Sequence, residues 1–261
     1  MVDIIAQYIN GGHLNKNNIS FSAIRSIAGI DCGLWEELDR GRAILPSYDH
    51  LNQYLRSYGP MVSNQWNHFL QSIELPMGDI RLLDYGCGQA LAQVKLFDKF
   101  GDELISRVKE IVLIEPSPFA LARAEKIVRC YCPEANVICV NKEFDELIHE
   151  ELNITDTMTN LHIFSNVLDV ESFDYAHLYN TIFKKQEHAS HVILAVSHDR
   201  NFSGGTARIE NIYEYATQRY VKTHNMKQSA YKFFSTYDSR GREVSHVSWW
   251  LDIEQLPVTN S

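Results

Sequence analysis

The stretch that most constrains the fold of this chain is LLDYGCGQA, residues 82–90. An apolar run leads into a carboxylate, Asp84, and then into a turn that contains Gly86 and Gly88. A helix-like segment, LAQVKLFDKF, follows directly. A strand that ends in a glycine-rich turn and opens a helix is how α/β proteins hold nucleotide-like ligands, because glycine tolerates positive φ and lets the backbone approach the ligand closely. The stretch therefore predicts an α/β protein with a ligand site after its first strand.

A second strand-like run, EIVLIEPSP, ends in the carboxylate of Glu115. A carboxylate at the tip of a strand suits a ribose diol, since it can accept hydrogen bonds from both hydroxyls at about 1.5–3 kcal/mol for each charged bond. Together the two segments indicate an adenosine cofactor. The structural alternative is that Glu115 is a surface carboxylate stabilised by the dipole of the following helix.

These segments resemble the class I S-adenosylmethionine-dependent methyltransferases over about residues 78–200. The first motif of that family, D/E-x-G-x-G-x, is matched by residues 84–89, and its acidic second motif is matched by Glu115. The resemblance implies S-adenosyl-L-methionine as cofactor and methyl transfer as the reaction. It also implies a Rossmann-like, doubly wound, mostly parallel seven-stranded sheet that includes a C-terminal β-hairpin and one antiparallel strand.

A dinucleotide-dependent enzyme is an alternative for the same glycine turn. Its fingerprint is G-x-G-x-x-G, and this chain has Leu91 at the third glycine position. We therefore rank an NAD(P)-dependent oxidoreductase third. The methyltransferase pattern has one departure of its own: Glu115 lies 29 residues after Gly86, where about 20 is usual, and we attribute the excess to a longer helix and loop, FDKFGDELISRVKE. The second hypothesis is a non-catalytic, methyltransferase-like binding or interaction module, because a fold does not by itself imply a function.

Strand-like and helix-like segments alternate beyond residue 78, which predicts a mostly parallel sheet with helices on both faces. Further strands are predicted over 136–140, within 160–170 and over 191–197, with a hairpin within 231–253. Helices are predicted over 119–131, 174–186 and 207–221. Helical spacing is also found within 21–45, interrupted at Gly29 and Gly33, and within 54–75, broken at Gly59-Pro60. We predict two domains: an N-terminal helical cap over 1–77 and the Rossmann-like domain over 78–261.

Ligands of open parallel sheets bind at the carboxyl ends of the strands, so the residues that end each strand are the candidate site. The predicted cofactor-binding residues lie there or in the cap: Asp84, Tyr85, Gly86, Gly88, Glu115, Pro116, Ser117, Glu143, Phe144, Ser165, Asn166, Tyr54 and Tyr58. The resemblance implies that Asp84 holds the methionine amino group. It also implies that Pro116 and Ser117 flank the adenine, with Glu143 or Asp145 at its amino group.

Several of these candidate residues could instead have a purely structural role. Ser117, Ser165 and Asn166 are also suited to cap helices. Tyr54 and Tyr58 share a helix face and either pack the cap on the core or face a sulfonium.

The candidate catalytic residues are Asn166, which offers both a donor and an acceptor group near the methionine moiety, and Asp169, which would orient or deprotonate an acceptor. His198 and Asp199 are candidates for the edge of an acceptor pocket. The Pro-Pro-Tyr or Pro-Pro-Phe signature of base amino-methyltransferases is absent after the fourth strand.

The composition of the chain limits which partners and which cellular location we expect. The net charge of −9 disfavours nonspecific nucleic-acid binding and favours a small molecule or protein acceptor over RNA. Five cysteines without framework spacing indicate reduced thiols and a cytoplasmic location. We expect no membrane span, no secretory signal and no metal site, because no apolar run reaches about 18 residues and no His or Cys pair has zinc-site spacing.

Overall fold

The computed structural model describes residues 2–154, 157–170, 173–183, 189–199, 205–220, 224–238 and 241–255. Its centre is a seven-stranded sheet in the order β3-β2-β1-β4-β5-β7-β6. The strands are β1 (Ile80–Tyr85), β2 (Val108–Ile114), β3 (Asn136–Val140), β4 (Thr159–Ser165), β5 (His191–His198), β6 (His224–Tyr237) and β7 (Glu243–Gln255). β7 runs antiparallel to both of its neighbours, β5 and β6, whereas β1 to β5 pair in parallel. The predicted sheet, with its hairpin and single antiparallel strand, is confirmed.

Helices connect the strands and precede the sheet. They are α1 (Ile4–Asn10), α2 (Phe21–Ala28), α3 (Tyr48–Ser57), α4 (Gly59–Phe69), α5 (Leu91–Phe100), α6 (Asp102–Ile105), α7 (Pro118–Tyr131), α8 (His149–Leu152), α9 (Tyr175–Phe183) and α10 (Gly205–Tyr220). Short 3-10 turns span Glu36–Gly41, Leu70–Ser72 and Phe144–Glu146. Ser117 caps α7 and Pro118 opens it, as predicted from the sequence. The end of the predicted helix over 174–186 lies outside the described residues, as do Ser239 and Arg240 of the hairpin turn.

The helical pattern predicted within 21–45 is wrong beyond Ala28. At Gly29 a Cβ atom would lie 2.5 Å from the carbonyl oxygen of Arg25, so the chain leaves the helix at a residue without one. Asp39 and Arg40 then adopt left-handed φ values of 41° and 56°, which an α-helix cannot contain. Residues 29–47 consequently form a loop with one 3-10 turn. Of the apolar side chains that suggested a helix, Leu38 and Leu45 are buried with Leu51 and Ala120, whereas Ile30, Trp35 and Ile44 are exposed.

The sheet buries both of its faces, because successive side chains of a strand point to opposite sides. Leu82 packs on the face covered by α1, α2, α4, α5 and α7, and the next residue, Leu83, packs on the face covered by α9 and α10. The same alternation separates Trp249, which is fully buried under α10, from Trp250, which lies on the opposite face beside Phe69. The core is therefore a three-layer α/β/α sandwich.

The first 77 residues contribute to two parts of the molecule. α1, α2 and α4 belong to one layer of the sandwich and share its continuous apolar core. Leu38, Leu45 and Leu51, from the 3-10 turn to α3, form a smaller cluster with Ala120 over the carboxyl edge of the sheet. The helical cap over 1–77 and the domain boundary at residue 77 stay predictions. In the described part of the chain, no helix has the length and apolar character that crossing a membrane requires.

Candidate functional site

A cleft opens at the carboxyl ends of β1 to β4, where the sequence places the ligand site. It encloses about 1170 Å³ of space between atoms, its open mouth included. Its floor comes from the turns after the four strands, and its wall comes from the segment 41–45 with α3 and α4. We call it the main cleft. Its residues include Gly86, Cys87, Gly88, Gln89, Glu115, Pro116, Glu143, Phe144, Asp145, Ser165, Asn166, Val167, Leu91, Tyr54 and Arg42.

The turn after β1 lines the cleft with two glycines, which have no side chains. Gly86 and Gly88 both have positive φ, at 64° and 51°. A Cβ atom at Gly86 would lie 2.6 Å from the Val167 side chain, so this glycine is required by packing. A Cβ atom at Gly88 would meet nothing within 4 Å, because this residue borders open cleft. A side chain at Gly88 would therefore occupy the space that a ligand needs.

Glu115 is fixed by the backbone of two loops. Its Oε2 accepts a hydrogen bond from the Gly88 N–H at 2.9 Å, and its Oε1 accepts one from the Ser117 N–H at 2.9 Å. Burial raises the pKa of Glu115, and the two backbone N–H groups oppose that rise by stabilising the carboxylate. A carboxylate has about four acceptor positions, so two are left for hydroxyl donors in the cleft. The glycine turn and the acid are thus one coupled unit.

Asp84 lies beneath the same turn and is 1% exposed. Within the described residues, neither carboxylate oxygen receives a hydrogen bond. Burial and the nearby Glu115 carboxylate raise the pKa of Asp84 well above its usual range. An ionised carboxylate that is buried without a hydrogen-bond donor is unfavourable. A cationic group that paired with Asp84 would stabilise the ionised form.

The end of β4 is held from the N-terminal side by α4. Gln65 and Asn166 pair through both atoms of their side-chain amides, at 3.0 and 2.9 Å. Trp66 Nε1 donates to Ser165 Oγ at 2.9 Å. Asn166 has a left-handed φ of 57°, which asparagine tolerates better than most residues. The two cleft residues after β4 therefore take their position from α4.

A buried histidine extends this network to the hairpin. Gln65 Nε2 also donates to His246 Nδ1 at 2.9 Å, and His246 Nε2 lies 2.7 Å from Thr236 Oγ1. Because Nδ1 accepts, the proton of the neutral ring is on Nε2 and is donated to Thr236. Burial and the neighbouring His198 and His68 lower the pKa of His246 to about 3, in agreement with a neutral ring.

The outer wall is attached to the sheet by polar contacts. Ser117 Oγ donates to the Leu45 carbonyl oxygen at 2.6 Å and accepts from the Ala120 N–H at 3.1 Å. Gln89 Nε2 donates to the carbonyl oxygen of Leu51 at 3.0 Å. The buried Arg123 guanidinium donates to Gln89 Oε1 at 3.0 Å. These contacts set the width of the cleft between the segment 41–45 and the glycine turn.

Most of the predicted cofactor residues come together in the main cleft. Those that line it are Tyr54, Gly86, Gly88, Glu115, Pro116, Glu143, Phe144, Ser165 and Asn166. Asp84 lies just below the cleft surface, and Tyr58 lies beside Tyr54 with ring centroids 5.2 Å apart but faces a neighbouring cavity. The amide of Asn166, predicted as catalytic, is already paired with Gln65, so its observed contacts are those of a positioning residue.

Three side chains predicted at the site point elsewhere. Tyr85 is fully buried under the sheet, where its hydroxyl bonds to His162 Nδ1 at 3.0 Å and its ring stacks on Phe164. Strand alternation explains this, since Asp84 takes the other face. Ser117 is fully buried as the cap of α7, and Asp169 is 2% exposed and borders no part of the main cleft. The structure gives these three side chains contacts outside the main cleft, and their roles toward the cofactor or the acceptor stay predictions.

Sequence reasoning missed the residues that approach from the N-terminal region. Gly41 to Leu45 form the outer wall, and Gln65 orders the end of β4, although both lie far from the motif in sequence. Gly41 gave the one usable signal. It has a φ of 89°, and a Cβ atom there would meet the rings of Tyr54 and Tyr58 at 3.6 and 3.8 Å. A glycine between two arginines, just before the apolar residues 43–45, marks this close approach but not its partner.

Comparison with known proteins gives structural neighbours only. No protein-family model matches the chain, and no curated protein matches its sequence. Among solved structures, it is similar to the plantazolicin methyltransferase BpumL in complex with SAH, at 12% identity and a TM-score of 0.48 over 85% of this chain and 98% of the other. It is also similar to a SAM-dependent methyltransferase from Aquifex aeolicus, at 12% identity and a TM-score of 0.46 over 86% of this chain and 100% of the other. A third neighbour is M. capricolum TrmK in complex with SAH, at 12% identity and a TM-score of 0.42 over 73% of this chain and 67% of the other.

The fold itself is defined by the strand order. Five parallel strands with β1 beside β2 and β4, followed by an antiparallel β7 inserted between β5 and β6, form the Rossmann-like sheet of the class I methyltransferases. The resemblance first noted at residues 84–89 and Glu115 thus agrees with the architecture of the whole chain.

Proposed function

We propose that this protein is an S-adenosylmethionine-dependent methyltransferase that uses the main cleft as its cofactor site. The observation that carries the proposal is the position of Glu115. Its carboxylate is held by the N–H groups of Gly88 and Ser117, borders the cleft, and keeps acceptor capacity for a ribose diol. Two hydroxyl donors on a fixed carboxylate give an adenosine-binding anchor.

The remaining residues fit the same cofactor. Asp84 lies below the turn with two carboxylate oxygens that receive no hydrogen bond. A methionine ammonium group beside it would favour the ionised carboxylate and offset the burial that raises its pKa. Phe144 and Pro116 provide apolar surface on the cleft for an adenine ring. Tyr54 borders the cleft from α3 and offers an aromatic face to a sulfonium, an interaction of about 0.5–2 kcal/mol.

The bound cofactor would supply an activated methyl group, so the protein's part is positioning and exclusion of water. The segment 41–45 covers the cleft, and the Gln65–Asn166 pair fixes the floor next to it. No general base is required when the acceptor is already a nucleophile. This agrees with the burial of Asp169 away from the cleft.

An NAD(P)-dependent oxidoreductase is less well supported by the same geometry. Leu91 opens α5 and borders the main cleft, at the place where a dinucleotide fingerprint has its third glycine. A pyrophosphate needs that close approach between helix and strand. The non-catalytic binding module shares the cofactor site with our proposal, and only an acceptor assay separates the two.

Calorimetric titration of the wild-type protein with S-adenosylmethionine, S-adenosylhomocysteine, NAD and NADP tests the cofactor on which the proposal depends. We expect the two adenosyl sulfur compounds to bind with dissociation constants of about 1–100 μM and the dinucleotides to give no saturable heat. Tighter binding of a dinucleotide, or a folded protein that binds neither sulfur compound, would overturn it.

A further inference from the structure

A second cavity adjoins the main cleft on the side of α2 and α3, and its walls are rich in arginine. Arg42 borders both spaces. The neighbouring rings of Tyr54 and Tyr58 separate them, since Tyr54 borders the main cleft and Tyr58 the second cavity. The opposite wall comes from the end of β5 and the β6–β7 turn, and it includes His198 and Asp199. A ligand here would lie next to the proposed cofactor site.

Three of the arginines in this cavity have unused guanidinium groups. Across the described residues, no ion pair or hydrogen bond engages the side chain of Arg25, Arg40 or Arg56. The other two are paired: Arg42 with Asp39 at 2.9 Å and Arg242 with Asp238 at 2.7 Å. Three unpaired guanidinium groups in one cavity contrast with the net charge of −9 for the whole chain.

Within the described residues, no acidic side chain of the same cavity forms an ion pair with Arg25, Arg40 or Arg56. Asp199 Oδ1 accepts a hydrogen bond from Thr206 Oγ1 at 2.5 Å, and Asp31 Oδ1 accepts one from the Gly33 N–H at 3.1 Å. Glu243 is exposed and, in the described structure, forms no ion pair with an arginine of this wall. The N–H donors of the three guanidinium groups are therefore available to a ligand.

The backbone at Arg40 is strained. Asp39 and Arg40 occupy the left-handed region in succession, at φ 41° and 56°. This conformation costs about 1–2 kcal/mol for each non-glycine residue. It places Arg40 on the second cavity, together with Arg25 and Arg56 of the two neighbouring helices. Strain of this kind occurs most often at ligand-binding sites.

We infer that the second cavity holds the methyl acceptor, and that the acceptor is a small molecule with a carboxylate or phosphate group bound by Arg25, Arg40 and Arg56. Guanidinium groups bind both kinds of anion through paired N–H donors. The inference rests on the proposed function, because the cavity is an acceptor site only if the main cleft binds the methyl donor. It is consistent with the placement of His198 and Asp199, which the sequence suggested for the edge of an acceptor pocket.

The test compares anion binding in the wild type, in the double variant Arg40→Gln/Arg56→Gln, and in a control, Arg129→Gln. Arg129 is a partly exposed arginine on α7 that pairs with Glu125 and donates to the Val137 carbonyl oxygen. It lines neither cavity, so its replacement removes a positive charge without changing either site. Each protein is titrated calorimetrically with inorganic phosphate, with malonate and with S-adenosylhomocysteine, in a chloride-poor buffer.

We expect saturable binding of phosphate or malonate by the wild type with a dissociation constant below about 10 mM. The double variant should bind that anion at least tenfold more weakly, the control should match the wild type, and S-adenosylhomocysteine should bind all three proteins alike. The stronger of the two anions identifies the acceptor group.

Equal anion affinity in the double variant and the wild type, or no saturable anion binding by the wild type, would overturn the inference. If the wild type binds the anion but does not bind S-adenosylhomocysteine, the result would instead contradict the proposed function. The acceptor role of the cavity would then be contradicted as well.

Discussion

Gln65 on α4 and Asn166 after β4 exchange two amide hydrogen bonds, Nε2 to Oδ1 at 3.0 Å and Nδ2 to Oε1 at 2.9 Å. The two residues are 101 positions apart, and the pair joins the N-terminal helices to the floor of the main cleft. Gln65 is fully buried and also donates to His246. The shape of the cleft therefore depends on helices that lie outside the glycine motif.

A double-mutant cycle on Gln65→Ala and Asn166→Ala measures this pair. Each single variant should lower the free energy of unfolding by about 1–3 kcal/mol, because it leaves polar groups of its partner unsatisfied. The coupling energy should be about 1–2 kcal/mol by denaturant titration. Strictly additive effects would show that the amide pair contributes no specific stabilisation.

Gly88→Ala should block the cleft. The new methyl group points into space that the ligand would fill, and we expect at least a tenfold loss of S-adenosylhomocysteine affinity, or about 1.4 kcal/mol. Gly78→Ala is the matched control, because Gly78 also has positive φ and open space around its Cβ position but lies outside the main cleft. Both variants should lose about 1–2 kcal/mol of stability. Equal ligand affinity in the two variants would contradict the placement of the ligand.

Asp84→Asn should separate stability from binding. The raised pKa of Asp84 means that folding disfavours its ionised form, so its contribution to stability falls as pH rises above the unfolded value. Removing the charge should raise stability at pH 7.5 by about 0.5–2 kcal/mol, measured by thermal denaturation. S-adenosylmethionine affinity should fall at least tenfold. A variant that is less stable and binds normally would disprove both roles.

His162 should make folding stability sensitive to acid. It is fully buried between Tyr85 and His191, and burial lowers its pKa to about 3. The unfolded chain binds this proton near pH 6.5, so stability falls as the pH decreases from about 6.5 towards 3, by up to about 1.4 kcal/mol per pH unit. In His162→Gln, urea titrations between pH 7 and pH 5 should show a shallower loss than in the wild type. Identical slopes would count against the buried neutral ring.

Much of the fold was predictable because its signals are local. The apolar strands, the Ser117 cap and the glycine turn each depend on neighbouring residues, and the strand ends converge on one edge in any parallel sheet. Strand alternation alone predicts that the side chains of Asp84 and Tyr85 lie on opposite faces of the sheet. The wall formed by Gly41 to Leu45 and the Gln65–Asn166 pair could not, because long-range contacts between side chains leave no periodic trace in the sequence.

The central claim is that Glu115 anchors the ribose of an adenosyl cofactor, and a ligand–variant cycle tests it most directly. S-adenosylhomocysteine and its 2′-deoxyribose analogue are titrated into the wild type and Glu115→Gln. In the wild type, loss of the hydroxyl should weaken binding about 10- to 100-fold, the value of one hydrogen bond to a charged group. In Glu115→Gln the two ligands should bind within about threefold of each other. An equal penalty for the deoxy analogue in both proteins, or no binding of S-adenosylhomocysteine by the wild type, would contradict the claim.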